Sequence, residues 1–297
     1  MSGAAPALSV VVTTYAWPEA LDAVLRGLAL QRGANMEVVV AEDASNPETA
    51  AVVHRWQGVL PSGRLRHVSQ EDEGFRLARV RDLGALAARG TAVLFLDGDC
   101  VPRRDCARAV LHQLRPGWFL GSKRIRLSRR LTAQVLEHQV PVHRWGFLDF
   151  ALRARRDAEG LDGLTPRDRR RPSRAQLPSF VPDRAGWGFF LAVRRDDLHR
   201  VNGYDARFVG WGGEDVDIAT RLGRLGLRGG WAGPASTVLH LWHPDRTLRE
   251  RPNAPLLAET IASDRVAAVV GLRELAAQAQ ERANATTGSG ASRPSAT

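Results

Sequence analysis

The sequence predicts an α/β fold in which a mostly parallel sheet is flanked by helices. Over the first hundred residues, short apolar runs alternate with segments of helical spacing, as in successive β-α-β units. The run Ala-Val-Leu-Phe-Leu at residues 92–96 is apolar throughout, which is typical of a parallel strand buried on both faces. Ligands of such sheets bind where the strands end, so the polar residues that follow the runs are candidates for a site.

The alternation predicts four strands and three helices. The strands are residues 8–14, 37–41, 65–69 and 92–96, and the helices lie near residues 18–30, 47–56 and 76–88. Pro18 and Pro47 suit the first position of a helix, because a proline there removes no intrahelical hydrogen bond.

Polar clusters end three of these strands, and together they predict one pocket. They are Thr13-Thr14-Tyr15, Glu42-Asp43 and Asp97-Gly98-Asp99. Two carboxylates separated by a glycine can hold a hard divalent cation that also takes oxygens from a diphosphate. An ordinary Asp-Gly turn is the alternative for so short a motif. The first turn, at residues 15–18, has neither G-x-G-x-x-G nor a Walker A sequence, which argues against dinucleotide-binding proteins and ATPases.

Arginines precede the acidic strand. Arg76, Arg79 and Arg81 lie in the segment 74–82 and could bind phosphate bidentately. The alternative is a solvated helix face.

A glycine-rich aromatic turn, Gly-Trp-Gly-Gly-Glu-Asp at residues 210–215, predicts a sugar-binding surface beside two carboxylates. The indole of Trp211 offers a flat apolar face with one N–H donor. Helical spacing follows the turn, so Glu214 and Asp215 should begin a helix, where the helix dipole favours ionised carboxylates. An ionised Asp215 could take a proton from an acceptor hydroxyl. The alternative is that these acids only cap a surface helix.

In this order, the motifs resemble family 2 glycosyltransferases of the GT-A fold. The branch is the one whose C-terminal half is similar to β-1,4-galactosyltransferases and bacterial chondroitin polymerases. The resemblance covers most of residues 8–245 and rests on the segments 11–15, 41–45, 74–76, 97–99, 201–205 and 210–215. Two positions depart from the family pattern. Asp82 stands where Asn is common, and Gly-Trp-Gly-Phe-Phe at residues 186–190 replaces a Gly-Cys-Asn-Met-like segment.

The resemblance implies a role for each motif. The implied nucleotide-sugar contacts are Thr13, Thr14, Tyr15, Asp43, Arg76, Arg81, Asp97 and Gly98. The implied sugar or acceptor contacts are Trp211, Gly212 and Gly213. The implied catalytic residues are Asp215, which would be the base, and Glu214, which would also hold the acceptor or the donor sugar. Asp99 would ligate Mn²⁺ or Mg²⁺ with a histidine, for which His240 is preferred because it ends an apolar run, and His243 is the alternative.

The implied reaction is metal-dependent inverting transfer from a nucleoside-diphosphate sugar, expected to be a UDP-sugar. The acceptor would be a hydroxyl of a glycan, a lipid-linked molecule or a small molecule. One rival is a sugar-nucleotidyltransferase, which should have a glycine-rich phosphate loop that residues 8–17 lack. The other is a noncatalytic sugar-binding protein.

Composition fits one large domain, since 297 residues with 44% hydrophobic content can bury a substantial core. The predicted GT-A domain spans residues 1–255, with a nucleotide-binding half at 1–100 and an acceptor half at 101–255. A helical segment at 256–283 and a disordered tail at 284–297 would follow.

The charge balance is strongly basic, with a formal net charge of +10. The clearest basic cluster, residues 167–174, reads as a solvated loop or a contact to an anionic membrane or lipid diphosphate. No nucleic-acid partner is expected, because no recognised nucleic-acid motif accompanies the charge. Two cysteines and the absence of a long apolar run predict a reduced, cytoplasmic protein, or one resting on the inner membrane face.

Overall fold

The alternation at the start of the chain forms a parallel sheet in the computed structural model, which describes residues 5–31, 33–145, 158–161, 188–244 and 252–288. The first strands are β1 (Leu8–Thr14), β2 (Met36–Asp43), β3 (Leu65–Gln70) and β4 (Ala92–Asp97). The helices between them are α1 (Pro18–Ala29), α2 (Pro47–Gln57) and α3 (Leu77–Ala87). All seven predicted elements are present, with ends within two residues of the predicted ones.

The rest of the chain adds shorter strands and helices. The strands are β5 (Cys100–Val101), β6 (Trp118–Gly121), β7 (Arg124–Leu127), β8 (Ala158–Leu161), β9 (Phe190–Arg194), β10 (Arg228–Trp231) and β11 (Val238–His240). The helices are α4 (Cys106–Gln113), α5 (Arg129–Leu136), α6 (Arg195–Arg200), α7 (Glu214–Arg224), α8 (Ala254–Ala262) and α9 (Leu272–Gly288).

The main sheet has the strand order β10-β6-β9-β4-β1-β2-β3 and is parallel except for β9. The chain winds outward from β1 through β2 and β3, and then returns to place β4 on the other side of β1. A crevice therefore opens at the carboxyl ends of β1 and β4, where such sheets bind ligands. In register, Thr13 lies beside both Ala41 and Asp97, so the ends of three strands meet at this edge.

A second sheet of four strands, in the order β5-β11-β7-β8, starts directly after the main one. In the pairing of β5 with β11, Cys100 lies opposite His240. This pairing brings the chain after Asp99 next to the chain that ends in His240 and His243.

The strands alternate their side chains between two apolar layers. In β1, Val10 and Val12 pack with Leu21 and Leu25 of α1, while Val11 packs in the layer that contains α3. Both layers are fully buried at these positions. This explains why the strands read as continuous apolar runs rather than alternating ones.

The C-terminal segment forms two helices rather than one continuous stretch. The break before α9 contains Gly271, where an added Cβ would lie only 1.8 Å from the Asn202 carbonyl oxygen. The Asn202 side chain donates to Glu274 at 2.7 Å and accepts from the Arg273 N–H at 2.9 Å, which fixes the start of α9. The helix continues to residue 288, beyond the predicted start of the tail. Residues 289–297 lie outside the described part.

No helix within the described ranges is long and apolar enough to cross a membrane. The basic cluster at residues 167–174, as well as Gly186 and Trp187, lie outside the described residues. The cytoplasmic location and the membrane contact stay predictions.

Asp82 points away from the crevice into the protein. It is fully buried, and its Oδ1 accepts the Tyr204 N–H at 2.9 Å. Burial raises the pKa of this carboxyl well above its usual range, and Oδ2 has no hydrogen-bond partner among the described residues. Asp82, the acid that departs from the family pattern, therefore hydrogen-bonds to the turn at Gly203 and Tyr204 rather than to an arginine of the segment 74–82.

We expect Asp82→Asn to stabilise the protein, and more so as the pH rises. A folded-state pKa above the unfolded value means that the protonated acid stabilises the fold at low pH, and that this contribution is lost as the pH rises. Asn keeps the acceptor and never ionises. Between about pH 5 and 8, its advantage in unfolding free energy should grow by up to about 1.4 kcal/mol per pH unit. Urea unfolding at both pH values measures this. Asp82→Ala, which loses the acceptor, should be destabilised by about 1–3 kcal/mol, and a pH-independent difference between Asn and Asp would contradict the prediction.

Candidate active site

The Asp-Gly-Asp motif occupies the passage from β4 to β5. The Gly98 N–H donates to the Thr13 carbonyl at 2.7 Å, and an added Cβ at Gly98 would lie 2.5 Å from that oxygen. Only glycine fits this approach. The Thr13 hydroxyl donates to Asp97 Oδ1 at 3.3 Å, and the Thr14 side chain lies beside Gly98. The end of β1 thus fixes the acidic motif.

Arg81 joins the acidic motif to the start of α7. Its guanidinium is 1% exposed, lies 3.1 Å from Asp97 Oδ1 and 3.2 Å from Glu214 Oε1, and also donates to the Gly188 carbonyl. The ring of Tyr204 lies under it, with 5.0 Å from the guanidinium carbon to the ring centroid. One buried cation therefore ties two carboxylates that are far apart in sequence into a single cleft.

The glycine-rich turn before α7 is held by its backbone. Gly210, Gly212 and Gly213 have φ values of 82°, 88° and 94°, a region that favours glycine. The Gly210 N–H donates to the Phe75 carbonyl at 2.7 Å, and the Asn253 amide donates to the Gly212 carbonyl at 2.9 Å. These bonds fix where α7 begins.

Glu214 and Asp215 are the first residues of α7, as the helical spacing predicted. Asp215 Oδ1 accepts the N–H of Val216 at 2.9 Å. Its other oxygen faces Gly188, where an added Cβ would lie 2.9 Å from Oδ2. The absence of a side chain at Gly188 therefore leaves room for the Asp215 carboxylate.

The two carboxyls differ in their electrostatic environments. Burial, together with the neighbouring Asp215 charge, raises the pKa of Glu214 to about 7, although Arg81 opposes the shift. Burial also raises the pKa of Asp215, opposed by the Val216 N–H and by Arg81. Glu214 is the more buried side chain, and its Oε2 has no hydrogen-bond partner in the described part of the chain.

Asp99 lies against two histidines. Its Oδ2 is 3.5 Å from Nε2 of His240 and 3.5 Å from Nε2 of His243. Burial, with the charge of Arg124, lowers the pKa of His240 to about 3, so its imidazole is neutral. Burial and the charge of Asp97 raise the pKa of Asp99 to about 6.

This donor set fits a divalent cation. One ion that binds oxygen and nitrogen at about 2.0–2.2 Å can bridge Asp99 and either histidine across a separation of 3.5 Å. A cation would also relieve the repulsion between Asp97 and Asp99. Both histidines are equally near Asp99, and His240 is the more buried of the two, so the preference for His240 stays a prediction.

Asp43 and Arg76 form a second cluster at the end of β2. Asp43 Oδ2 accepts the Arg76 backbone N–H at 2.7 Å, and its Oδ1 accepts from Gln70 at 2.6 Å. The neighbouring Glu42 turns away and lies 2.9 Å from Nε2 of His67. Of this acidic pair, only Asp43 contacts Arg76.

The family profiles match two consecutive parts of the chain. Residues 9–152 match glycosyl transferase family 2, and residues 171–243 match the N-terminal domain of galactosyltransferase. The chain carries a glycosyltransferase family 2 domain. The family indicated by the sequence motifs is thereby confirmed.

Curated relatives of this family 2 domain include two named sugar-transferring enzymes. Validoxylamine A glucosyltransferase of Streptomyces hygroscopicus subsp. jinggangensis (strain 5008) is 30% identical over an alignment of 243 residues that covers 75% of this chain and 52% of that protein. Chondroitin synthase of Escherichia coli is 24% identical over 74% of this chain and 32% of that protein. The chain spans about half the length of the first of these relatives and a third of the second.

Two solved structures share the architecture. Mannosyltransferase PcManGT from Pyrobaculum calidifontis, in complex with GDP-Man and Mn²⁺, gives a TM-score of 0.52 with 20% identity, covering 97% of this chain and 80% of that one. S. aureus TarS gives a TM-score of 0.50 with 16% identity, covering 80% of this chain and 37% of that one. The predicted GT-A fold is confirmed.

The structure of the family 2 domain groups most predicted site residues. Six of them are held by hydrogen bonds or ion pairs in the region around Arg81 and Asp99. They are Thr13, Asp97, Gly98, Glu214, His240 and His243. Asp43 and Arg76 form the second cluster, Thr14 ends β1 beside β2, and Tyr15 directly follows it. Trp211 is half exposed.

Sequence reasoning missed Tyr204 and Gly188 as parts of the site. Tyr204 belongs to a motif that carried the family resemblance, but its stacking on Arg81 leaves no sequence signal. Phe189, in the segment 186–190 that departs from the family pattern, is buried in the core, and Arg124 lies 4.9 Å from its ring centroid.

Proposed function

We propose that the protein is a metal-dependent inverting glycosyltransferase that moves a sugar from a nucleoside-diphosphate sugar to an acceptor hydroxyl. The observation that carries this proposal is the buried Arg81, which joins Asp97 of the acidic motif to Glu214 at the start of α7. That contact supports a single cleft, in which the donor would bind beside Asp97 and the catalytic base would lie beside Glu214. A cation site at Asp99 borders the same acidic motif.

Asp215 would act as the general base. It takes the proton of the acceptor hydroxyl while that oxygen attacks the anomeric carbon, and the nucleoside diphosphate leaves from the opposite face. Glu214 would hold the one proton that the two carboxyls share, which leaves Asp215 ionised and able to accept the proton of the acceptor hydroxyl. The charge of Arg81 lowers the pKa of both carboxyls and helps to keep the base in this state.

Asp99 with His240 or His243 would hold Mn²⁺ or Mg²⁺, which supplies positive charge to stabilise the departing diphosphate. Arg81 is a positioning residue in this proposal. Asp97 and Glu214 already occupy its guanidinium, so it orients the carboxylates, and this role replaces the direct diphosphate contact expected from the sequence. Thr13, Thr14, Tyr15, Asp43 and Arg76 would line the nucleotide.

The half-exposed Trp211, with Gly212 and Gly213, would present the sugar-binding surface. A UDP-sugar is the proposed donor, and a guanosine donor is the first comparison because PcManGT is described with GDP-Man. A glycan, a lipid-linked molecule or a small molecule is the proposed acceptor. The names of the relatives include both a polymer synthase and a small-molecule glucosyltransferase.

The test is binding and turnover of UDP-, dTDP- and GDP-sugars by the purified protein with Mn²⁺, Mg²⁺ or EDTA. Release of a nucleoside diphosphate from one donor, only with metal, is the expected result. Formation of a sugar nucleotide from a sugar phosphate and a nucleoside triphosphate would instead indicate a nucleotidyltransferase. Sugar binding without nucleotide binding or turnover would indicate a noncatalytic relative.

We expect Asp99→Ala to lose metal-dependent donor binding. The substitution removes the carboxylate that lies beside both histidines and should weaken Mn²⁺ binding by more than about tenfold. A loss of about that size already follows when a residue that only hydrogen-bonds to a metal ligand is removed. Mn²⁺ electron paramagnetic resonance and calorimetry with the donor measure the two affinities. Asp105→Ala, an acid paired with the exposed Arg108, is the matched control and should bind as the wild type does. Unchanged Mn²⁺ affinity in Asp99→Ala would refute the assigned ligand.

A further inference from the structure

Cys100 places a sulfur atom beside Asp99 and His240, the residues proposed to hold the cation. The residue directly follows Asp99, and its thiol donates to Asp99 Oδ1 at 3.3 Å. We propose that Asp99, Cys100 and His240 form a site that binds Zn²⁺ through the Cys100 sulfur, and that Zn²⁺ bound there inhibits the enzyme.

The spacing of the three side chains suits one ion. Their ligand atoms all lie within 4.8 Å of one another. Tetrahedral zinc binds sulfur at about 2.3 Å and imidazole nitrogen at about 2.1 Å, which places the two atoms about 3.6 Å apart. Even a separation of 4.8 Å therefore closes with a combined side-chain movement of about 1 Å. His243 Nε2 lies 3.5 Å from Asp99 Oδ2 but is not part of this three-residue cluster.

The chemistry of the donors decides which ion uses the sulfur. Mn²⁺ and Mg²⁺ prefer oxygen ligands, so with either ion Cys100 keeps its proton and its hydrogen bond to Asp99. Zn²⁺ favours thiolate and imidazole. When Zn²⁺ binds, the thiol releases its proton to solvent and the Zn–S bond forms. The metal keeps its charge, and no oxidant or reductant is required.

Inhibition follows from competition for Asp99. A zinc ion bound by Asp99, Cys100 and His240 would occupy the carboxylate that Mn²⁺ or Mg²⁺ needs. The catalytic cation could then not bind beside the diphosphate. The inhibition rests on the proposed function, whereas binding through sulfur does not.

The second cysteine provides the control. Cys106 begins α4 and is also fully buried, but its sulfur lies 3.9 Å from the Ser236 carbonyl and outside the ligand cluster. A signal that comes from sulfur at the cation site must therefore survive Cys106→Ser and disappear in Cys100→Ser.

The experiment uses Co²⁺ alone as a spectroscopic substitute for Zn²⁺. We expect the wild type and Cys106→Ser to show sulfur-to-cobalt charge-transfer absorption in the near ultraviolet, displaced by one equivalent of Zn²⁺. Cys100→Ser and Cys100→Ala should lack it, and their Zn²⁺ affinity should fall more than about tenfold while Mn²⁺ affinity is kept. Bound Co²⁺ without this absorption in the wild type overturns the proposal, and that result does not depend on whether either Cys100 variant folds.

Turnover separates the two proposals. With sulfur binding established, Zn²⁺ should inhibit Mn²⁺-supported transfer by the wild type and by Cys106→Ser, and inhibit the Cys100 variants less. If Co²⁺ binds through sulfur but no donor is turned over under any condition, the zinc site stands and the proposed function fails. Equal Zn²⁺ inhibition of wild type and Cys100→Ser would overturn the inhibitory role.

Discussion

Asp215→Asn is expected to lower the rate of sugar transfer by about 10²–10⁴-fold, the usual contribution of a general base. The amide is nearly isosteric with the carboxylate but cannot accept the proton of the acceptor hydroxyl. Because burial raises the pKa of Asp215, its ionised form costs folding free energy at neutral pH, so the variant should be as stable as the wild type or more stable. Donor binding by calorimetry should persist. The decisive readouts are single-turnover rates and thermal melting.

Asp217→Asn is the matched control for this prediction, since it changes another acid in the first turn of the same helix. Asp217 is fully buried, pairs with Arg221 and accepts from the Thr260 hydroxyl at 2.7 Å. Its loss should lower the melting temperature and leave turnover per folded molecule unchanged. Transfer at the wild-type rate by Asp215→Asn would eliminate it as the base.

The sequence could predict the sheet because the relevant information is local. β1, β2 and β4 contain continuous apolar runs, and Pro18 and Pro47 mark the first turns of α1 and α2. The site could be predicted where a motif sits at a strand or helix end. Asp97 and Glu214 are such cases. Asp97 follows an apolar run of strand length, and Glu214 begins a segment of helical spacing.

The contacts between these motifs could not be predicted in the same way. Arg81 lies 133 residues from Glu214 and 107 residues from Gly188, and no local pattern distinguishes it from Arg76 or Arg79. These arginines differ in the direction in which their side chains leave α3 or the residue that precedes it. Arg81 is buried, whereas the Arg76 guanidinium pairs with the exposed Glu73.

The same limit applies to paired acids. Glu42 and Asp43 are adjacent, yet one is bound to His67 and the other accepts the backbone N–H of Arg76. Successive residues of a strand point to opposite faces, so at most one of two neighbours can face a given pocket. The sequence supplies the chemistry of such a pair, and only the packing of the neighbouring elements decides which member faces the ligand.

Arg81→Met should be the most destabilising substitution in the site. Removing one partner of a buried ion pair costs about 3–5 kcal/mol, because the remaining charge, here that of Glu214, stays buried and unpaired. Both Asp97 and Glu214 would lose their cation, and Tyr204 would lose the guanidinium over its ring. Urea unfolding measures the loss. Arg108→Met, which breaks an exposed pair with Asp105, should change stability by no more than about 1 kcal/mol.

The pH profile distinguishes a positioning role of Arg81 from a purely structural one. Arg81 lowers the pKa of Glu214 and Asp215, so without it both values rise and the base is ionised only at higher pH. The acid limb of kcat should therefore move to higher pH in Arg81→Met and less in Arg81→Lys, which keeps the charge but loses the planar fork. A folded Arg81→Met protein with the acid limb of the wild type would mean that Arg81 only supports packing and that its charge does not act on the carboxylate pair.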